Sequence, residues 1–145
     1  MRRNGELRRL IVNLEYIING ACAVNEVQEV FKRSGIRRPV GDTDRVQRMI
    51  DNADEIITAR DGDKLIGFLR AITDYSYCCY ISDIAVDIDY QGSGIGKELI
   101  RLLRSKLGEE EVQYVLTSAP KALGFYEKLG FERNHNAFVL RRKKN

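Results

Sequence analysis

"DIAVDIDYQGSGIGKELIRLL", Asp83 to Leu103, is the stretch on which the reading of this chain turns. It joins an alternating apolar run to an amphipathic one through Gly92, Gly94 and Gly96, three glycines in five residues. From Ile95 the apolar positions Leu99, Leu102, Leu103 and Leu107 follow at offsets of 4, 7, 8 and 12, which is one face of a helix. The glycines therefore fall just before the helix and within its first turn. That turn carries N–H groups without helical partners and the positive end of the helix dipole. Glycine there costs backbone entropy and packs against nothing. Its repeated use implies the close approach of an anion, because successive bare N–H groups make a cradle for phosphate. The alternative is a strand–helix joint in which glycine serves geometry alone.

Two common nucleotide motifs are excluded by spacing. A dinucleotide fingerprint needs glycine where Lys97 stands, and a P-loop needs glycine at Gln91 and a hydroxyl residue at Glu98.

Working outward, "SYCCYISDIAVD" before the glycines reads as a strand, and "DEIITARDGDKLIGFLRAITD" as two strands joined at Asp61-Gly62-Asp63. Further upstream, "NEVQEVFKRSG" is a helix with Asn25 as N-cap and Gly35 as stop, and "TDRVQRMIDNAD" is a second helix. "LIVNLEYII", Leu10 to Ile18, is a first strand. Downstream, Val112 to Ala119 is a strand, "PKALGFYEKLG" is a helix from Pro120 to Gly130, and the last segment is a hairpin about Asn134 to Asn136. The order β-α-α-β-β-β-α-β-α-β-β is α+β with a largely antiparallel sheet.

The 145 residues suit one domain, 1–145, with its core at about 8–142. A 43% hydrophobic and 31% charged composition is that of an ordinary globular chain. The net charge of +3 is mild and gathers at the ends, in Arg2, Arg3, Arg8, Arg9 and Arg141 to Lys144, so no nucleic-acid partner is expected. Cys22, Cys78 and Cys79 form neither a disulfide framework nor, with the single His135, a metal set. The apolar run from Leu10 is broken by Asn13 and Glu15, which argues against a signal peptide, and no segment is long enough to span a membrane. A reducing, cytoplasmic setting is the expectation.

Gln91, Gly94 and Gly96 resemble the Gln/Arg-x-x-Gly-x-Gly/Ala acetyl-CoA motif of the GNAT superfamily of N-acetyltransferases, and Gly92 matches a common choice in it. "ISDIAVD" is similar to that family's central strand. "LGFYEKLGF", Leu123 to Phe131, is similar to its second fingerprint, where a helix carries a tyrosine. The resemblance implies a strongly twisted mixed sheet, flanked by about four helices. Two splayed strands, here 78–87 and 112–119, would admit acetyl-CoA as co-substrate, without a metal. It implies that pantetheine runs along Ile84, Ala85 and Val86, and that pyrophosphate rests on the N–H groups of Gln91, Gly92, Ser93, Gly94, Ile95, Gly96 and Lys97. Ser93 would add a hydroxyl and Lys97 a charge. Relatives often place an asparagine after the next strand; here stand Thr117, Ser118 and Ala119, with Ser118 as the substitute. A homodimer is a possibility that the resemblance also carries.

Acetyl transfer from a thioester to an amine needs a base, because an alkylamine with a pKa of about 10 is ammonium at neutral pH. It needs a donor to the carbonyl, here a backbone N–H at Val86 or Ile84, and an acid for the thiolate. Tyr126 is the candidate acid on the resemblance; the plain alternative is a core aromatic. Asp83 is the candidate base, directly or through water; the alternatives are a structural carboxylate and a water chain to solvent. Strand alternation puts Ile81, Asp83 and Ala85 on one face and Tyr80, Ser82, Ile84 and Val86 on the other. Attack in a ternary complex is expected over an acetyl-cysteine route, since neither Cys78 nor Cys79 has a nearby histidine in sequence. For the acceptor, the loop between the first helices and the segment 74–80 offer Arg37, Arg38, Asp42, Asp74, Tyr75, Tyr77 and Tyr80, with Ser82 beside them. The tyrosines and aspartates suit a cationic or aromatic amine, and the arginines a carboxylate. The expected function is an N-acetyltransferase acting on a primary amine of a small molecule or peptide. The alternative is a non-catalytic acetyl-CoA-binding or sensing module.

Overall fold

The computed structural model describes residues 13–145. The chain divides into two compact units, one running to Val115 and one spanning Leu116–Asn145.

The first unit holds a five-stranded sheet in the order β1 (Leu14–Ile18), β2 (Glu55–Asp61), β3 (Lys64–Thr73), β4 (Cys78–Val86), β5 (Gln113–Val115). Its ladders are antiparallel except the last, where β4 and β5 run parallel. Of the expected first strand, Leu14–Ile18 is observed; Leu10 to Val12 lie outside the described residues, as do Arg2, Arg3, Arg8 and Arg9. The β2–β3 hairpin turns where Asp61-Gly62-Asp63 indicated, with Gly62 at φ 59°.

Three helices cover the sheet. α1 (Val24–Ser34) stops at Gly35 in the left-handed conformation, φ 84°. Its start differs from the expected Asn25 cap: Ala23 is the N-cap, and its N–H is taken by Glu26 at 3.0 Å. An acid three residues on satisfies that donor as well as a cap side chain would. α2 (Thr43–Asp51) opens on Asp42, which accepts from the Arg45 N–H at 3.1 Å. Val27, Val30, Phe31 and Val46 of these helices pack with Ile56, Leu65, Phe68 and Ala85 on one face of the sheet. α3 (Ile95–Leu107) buries Ile95, Leu99, Ile100 and Leu103. A Cβ on Gly67 of β3 would stand 3.0 Å from Ile95 Cγ2 and 3.1 Å from Ala59 Cβ, so α3 seats on the opposite face through that glycine.

A buried acid closes the far end of the sheet. Glu55 accepts from Asn19 at 2.6 Å, Lys106 at 2.7 Å and Tyr75 at 3.1 Å. Asn19 and Tyr75 are the two described non-glycine residues with positive φ. Their backbone strain is held by this one carboxylate.

In the second unit a 3-10 turn, Pro120–Ala122, precedes α4 (Leu123–Lys128). This is less helix than Pro120 to Gly130 promised. The expected strand to Ala119 ends at Val115, and the hairpin about Asn134 to Asn136 has no strands. Alternation is a local pattern, whereas a strand exists only where a neighbour takes its N–H and C=O groups. Phe138 and Leu140, which would have stood on such strands, are fully exposed.

Candidate active site

At the end of β4 the chain turns through a short 3-10 helix, Ile88–Tyr90, into the glycines. Asp87 anchors that turn. Its buried carboxylate takes the Arg33 fork at 3.0 and 3.1 Å, the Asp89 N–H at 2.9 Å and Lys64 at 3.6 Å. Arg33 also reaches Asp89 at 2.7 Å. Tyr90 donates to Asp61 at 2.6 Å, and Gln91 Nε2 donates to the carbonyls of Val86 at 2.8 Å and Ser34 at 3.2 Å. The turn is thus pinned to α1 and to the β2–β3 hairpin.

Burial pushes the Asp87 carboxyl up, but Arg33, the Asp89 N–H and Lys64 outweigh it and leave the group below its ordinary value of 3.8. A carboxyl depressed on folding contributes stability that is present above its unfolded pKa and lost as pH falls through the folded one. Urea unfolding followed from pH 7 downward should show a stability loss setting in below about pH 4. Asp87→Asn should be less stable at pH 7 and should flatten that acid limb.

Gly92 and Gly94 sit at φ 81° and 87°, where other residues are strained. A Cβ at either would meet no atom within 4 Å. The left-handed turn therefore accounts for glycine at both places, and the space beside it is open. α3 begins on Gly94 without a side-chain cap, and its first internal bond is Glu98 N–H to Gly94 O at 3.0 Å. The N–H groups of Ile95, Gly96 and Lys97 precede that bond and have no helical acceptor. An anion of pyrophosphate size fits this chemistry: uncapped donors, a helix dipole and an unfilled cradle. The Ser93 hydroxyl differs from expectation, since it donates to the Tyr90 carbonyl, and the Gln91 side chain serves as a brace.

The strand leading into this turn opens along one edge. The β4–β5 ladder ends after three pairs, at Tyr80↔Val115, and within this unit Ile81 to Val86 pair with β3 alone. Before that point, Gln113 N–H donates to Tyr77 O at 2.9 Å, so the odd residues present their backbone groups to β5. After it, Asp87 N–H donates to Ile66 O at 2.8 Å across β3, so the odd residues face β3 instead. The N–H groups of Ile84 and Val86 then point to the open edge. The reversal comes from a bulge. Arg70 pairs with Asp83 and Ala71 with Ile81, which leaves Ser82 as the extra residue.

That bulge corrects the simple alternation of faces. Ser82 and Asp83 both reach Arg70, whose Nη2 donates to Ser82 Oγ at 2.7 Å and whose Nε donates to Asp83 Oδ2 at 2.5 Å. Ala85 follows Asp83 onto the α1–α2 face and joins Phe31 and Phe68 there. Ile84 and Val86 take the α3 face with their partners Leu69 and Gly67. Arg38, from the α1–α2 connection, binds Asp83 Oδ1 at 2.5 Å and the Ser82 carbonyl at 2.7 Å. Asp83 is fully buried with both oxygens held by guanidinium groups. This is the arrangement of a structural carboxylate, each oxygen holding a guanidinium donor.

The other acceptor-side residues separate. Asp74 Oδ1 accepts the N–H groups of Tyr77, Ser76 and Cys78 at 2.8, 3.0 and 3.1 Å, which holds the carboxyl down at about 2. It shapes its own turn. Tyr75 belongs to the Glu55 cluster. Tyr77 stands exposed. Asp42 caps α2, and Arg37 offers its carbonyl to Arg38. Tyr80 lies in a row with Ile72 of β3 and Val115 of β5, on the same face as Arg70. Their exposures of 43, 40 and 39% leave this apolar row uncovered. Burial pushes the Cys79 thiol up to about 11, which disfavours a thiolate.

In the second unit, the Tyr126 ring packs edge-on against Phe125 at 5.0 Å and Phe131 at 5.7 Å between centroids. Ser118 donates to the neighbouring Ala119 carbonyl at 2.7 Å. His135 is exposed. Arg33, Asp87 and Arg70 were missed in the sequence. A charge inside the apolar "LIGFLRAIT" was the signal for Arg70, but it named no partner.

Comparison with known proteins places this arrangement among acyltransferases. Residues 23–131 match the Acetyltransferase (GNAT) family, and the chain belongs to it. It is 32% identical over 134 residues to the uncharacterized N-acetyltransferase ycf52 of Gracilaria tenuistipitata var. liui, covering 87% of this chain and 71% of that one. It is 28% identical over 120 residues to Serotonin N-acetyltransferase 2, chloroplastic, of Oryza sativa subsp. japonica, covering 79% of this chain and 58% of that one. Matches to two further curated relatives, of Pyropia yezoensis and Arabidopsis thaliana, span only 40% and 27% of their length. The solved structure of a GNAT family acetyltransferase from Streptococcus pneumoniae TIGR4 shares the fold, with a TM-score of 0.72 at 20% identity over 90% of this chain and 99% of that one. Acetyl transfer is the general reaction of the family, with acetyl-CoA as the implied donor, and the mixed α+β sheet expected from the sequence is the fold observed.

Proposed function

We propose that this chain moves the acetyl group of acetyl-CoA to the primary amine of a small molecule with an aromatic or apolar body. The observation that carries the donor half is the uncapped, glycine-opened start of α3 at the end of a strand that, past Tyr80, pairs within its unit with β3 alone. In the reaction the amine nitrogen attacks the thioester carbonyl. A C–N bond forms, the C–S bond breaks, and the thiolate takes a proton. The N–H groups of Ile84 and Val86 are the donors we assign to the carbonyl oxygen as its charge grows. With both Asp83 oxygens holding guanidinium donors, we assign the amine proton to water, and on the family resemblance alone Tyr126 is the acid assigned to the thiolate.

Three observations support the acceptor half. The row Ile72, Tyr80, Val115 offers an apolar platform on the face of the bulge. Arg38 is taken by Asp83 and Ser82, so it offers no fork to a carboxylate. The rice relative is named for serotonin, an arylalkylamine.

The test is calorimetry with acetyl-CoA, followed by free-thiol release with serotonin, tryptamine, tyramine, amino acids and lysine peptides. Turnover confined to amino acids or peptides would reject the acceptor class, and absence of acetyl-CoA binding would reject the whole reading. Tyr126→Phe should lower kcat by about 100-fold, the usual scale of a lost general acid, with acetyl-CoA affinity unchanged. An unaltered kcat would remove Tyr126 from the mechanism.

A further inference from the structure

Two arginines hold four of the acceptor oxygens that the two bulge residues of β4 present. Arg70, from the neighbouring strand, holds Ser82 Oγ and Asp83 Oδ2. Arg38, from the α1–α2 connection, holds the Ser82 carbonyl and Asp83 Oδ1. A bulge is a local loss of ladder pairing, and left alone it can slide along the strand. Here each guanidinium spans both bulge residues, which a single ammonium could not do. The register shift is thereby fixed at Ser82, and it is the register shift that aims the Ile84 and Val86 N–H groups at the open edge.

We propose that Arg70 and Arg38, acting through Ser82 and Asp83, are positioning residues for the coenzyme's pantetheine and thioester, and that Arg38 ties the α1–α2 connection to the same point. This inference rests on the acetyl-CoA reading above. None of the four side chains belongs to the glycine turn, whose anchors are Arg33, Asp87 and Gln91. The phosphate end and the acyl end of the coenzyme are therefore separately supported.

That separation makes the idea testable. Two ligands are titrated by calorimetry: acetyl-CoA, and adenosine 3′-phosphate 5′-diphosphate, which is the coenzyme without its pantetheine arm. The proteins are wild type, Arg70→Lys and Ser82→Ala. Ser82→Ala removes only a hydroxyl and so stays informative if Arg70→Lys fails to fold. Acetyl-CoA affinity should fall about tenfold or more in the variants, as a displaced binding strand would require. Affinity for the arm-less nucleotide should stay within about twofold. Amide exchange at Ile84 and Val86 should quicken in the variants, since a bulge free to move loosens that strand. Variants that bind both ligands as wild type does, or lose both equally, overturn the positioning role while leaving the acetyl-CoA reading intact. Wild type that binds neither ligand overturns that reading, and the positioning role with it.

Discussion

Gly94→Glu should abolish acetyl-CoA binding, while Gly94→Ala should weaken it only modestly. The two variants share a backbone cost, because any side chain at φ 87° is strained by about 1–2 kcal/mol. The Cβ that both add meets no steric wall, since no atom lies within 4 Å of that position. The difference between them is the longer side chain and its carboxylate. Placed beside a pyrophosphate at about 4 Å, it repels each unit of charge by about 4 kcal/mol at the effective dielectric of a protein surface. About 1.4 kcal/mol is a factor of ten, so a loss of 100-fold or more in affinity is expected. Calorimetry on both variants, with melting curves to confirm folding, measures it. If the glutamate variant binds as the alanine one does, the turn is no phosphate site and its glycines serve only the strand–helix joint.

Asp83→Ala is expected to be among the most destabilising single substitutions in the first unit. Removing that carboxylate leaves Arg38 and Arg70 facing each other without a counter-charge. The Arg70 side chain is 11% exposed and that of Arg38 28%, so water screens them poorly. Breaking a buried pair in this way costs about 3–5 kcal/mol, a large part of the 5–15 kcal/mol typical of a whole domain. Urea unfolding measures the loss. Replacing the set together, Asp83→Leu with Arg70→Met and Arg38→Met, should recover much of it, because well-packed apolar groups replace buried ions at little net cost. If Asp83→Ala unfolds within about 1 kcal/mol of wild type, the bridge is a surface-like pair of small worth. Asp83 would then be available for other chemistry.

These two expectations differ in how far they could be read before the fold was known. The glycine turn was legible because its signals are local. The apolar spacing from Ile95 marks a helix start, and glycines at that start mark left-handed backbone beside bare N–H groups. The fate of Asp83 was not legible. Its two partners stand 13 and 45 residues away, and neither spacing carries a pattern. The faces of β4 were misread for a related reason. Alternation assumes an unbroken ladder, and the extra residue at Ser82 shows itself only when β3 is laid beside β4. Likewise Asp74 and Tyr75, which sequence composition offered to an acceptor, are spent on their own turn and on Glu55.

By itself the sequence determined the element order through α3, the hairpin at Gly62, the glycine turn that opens α3 and the family resemblance. Each of these rests on residues close in the chain, where periodicity, caps and turn chemistry act. The tertiary structure alone decided where the β4–β5 ladder ends, which strand carries the bulge, which backbone N–H groups face the open edge and which charges are consumed in holding them. It also decided that the last residues form no hairpin. Those outcomes depend on pairing between distant segments, and pairing is settled by which neighbour satisfies a strand's hydrogen bonds rather than by the strand's own pattern.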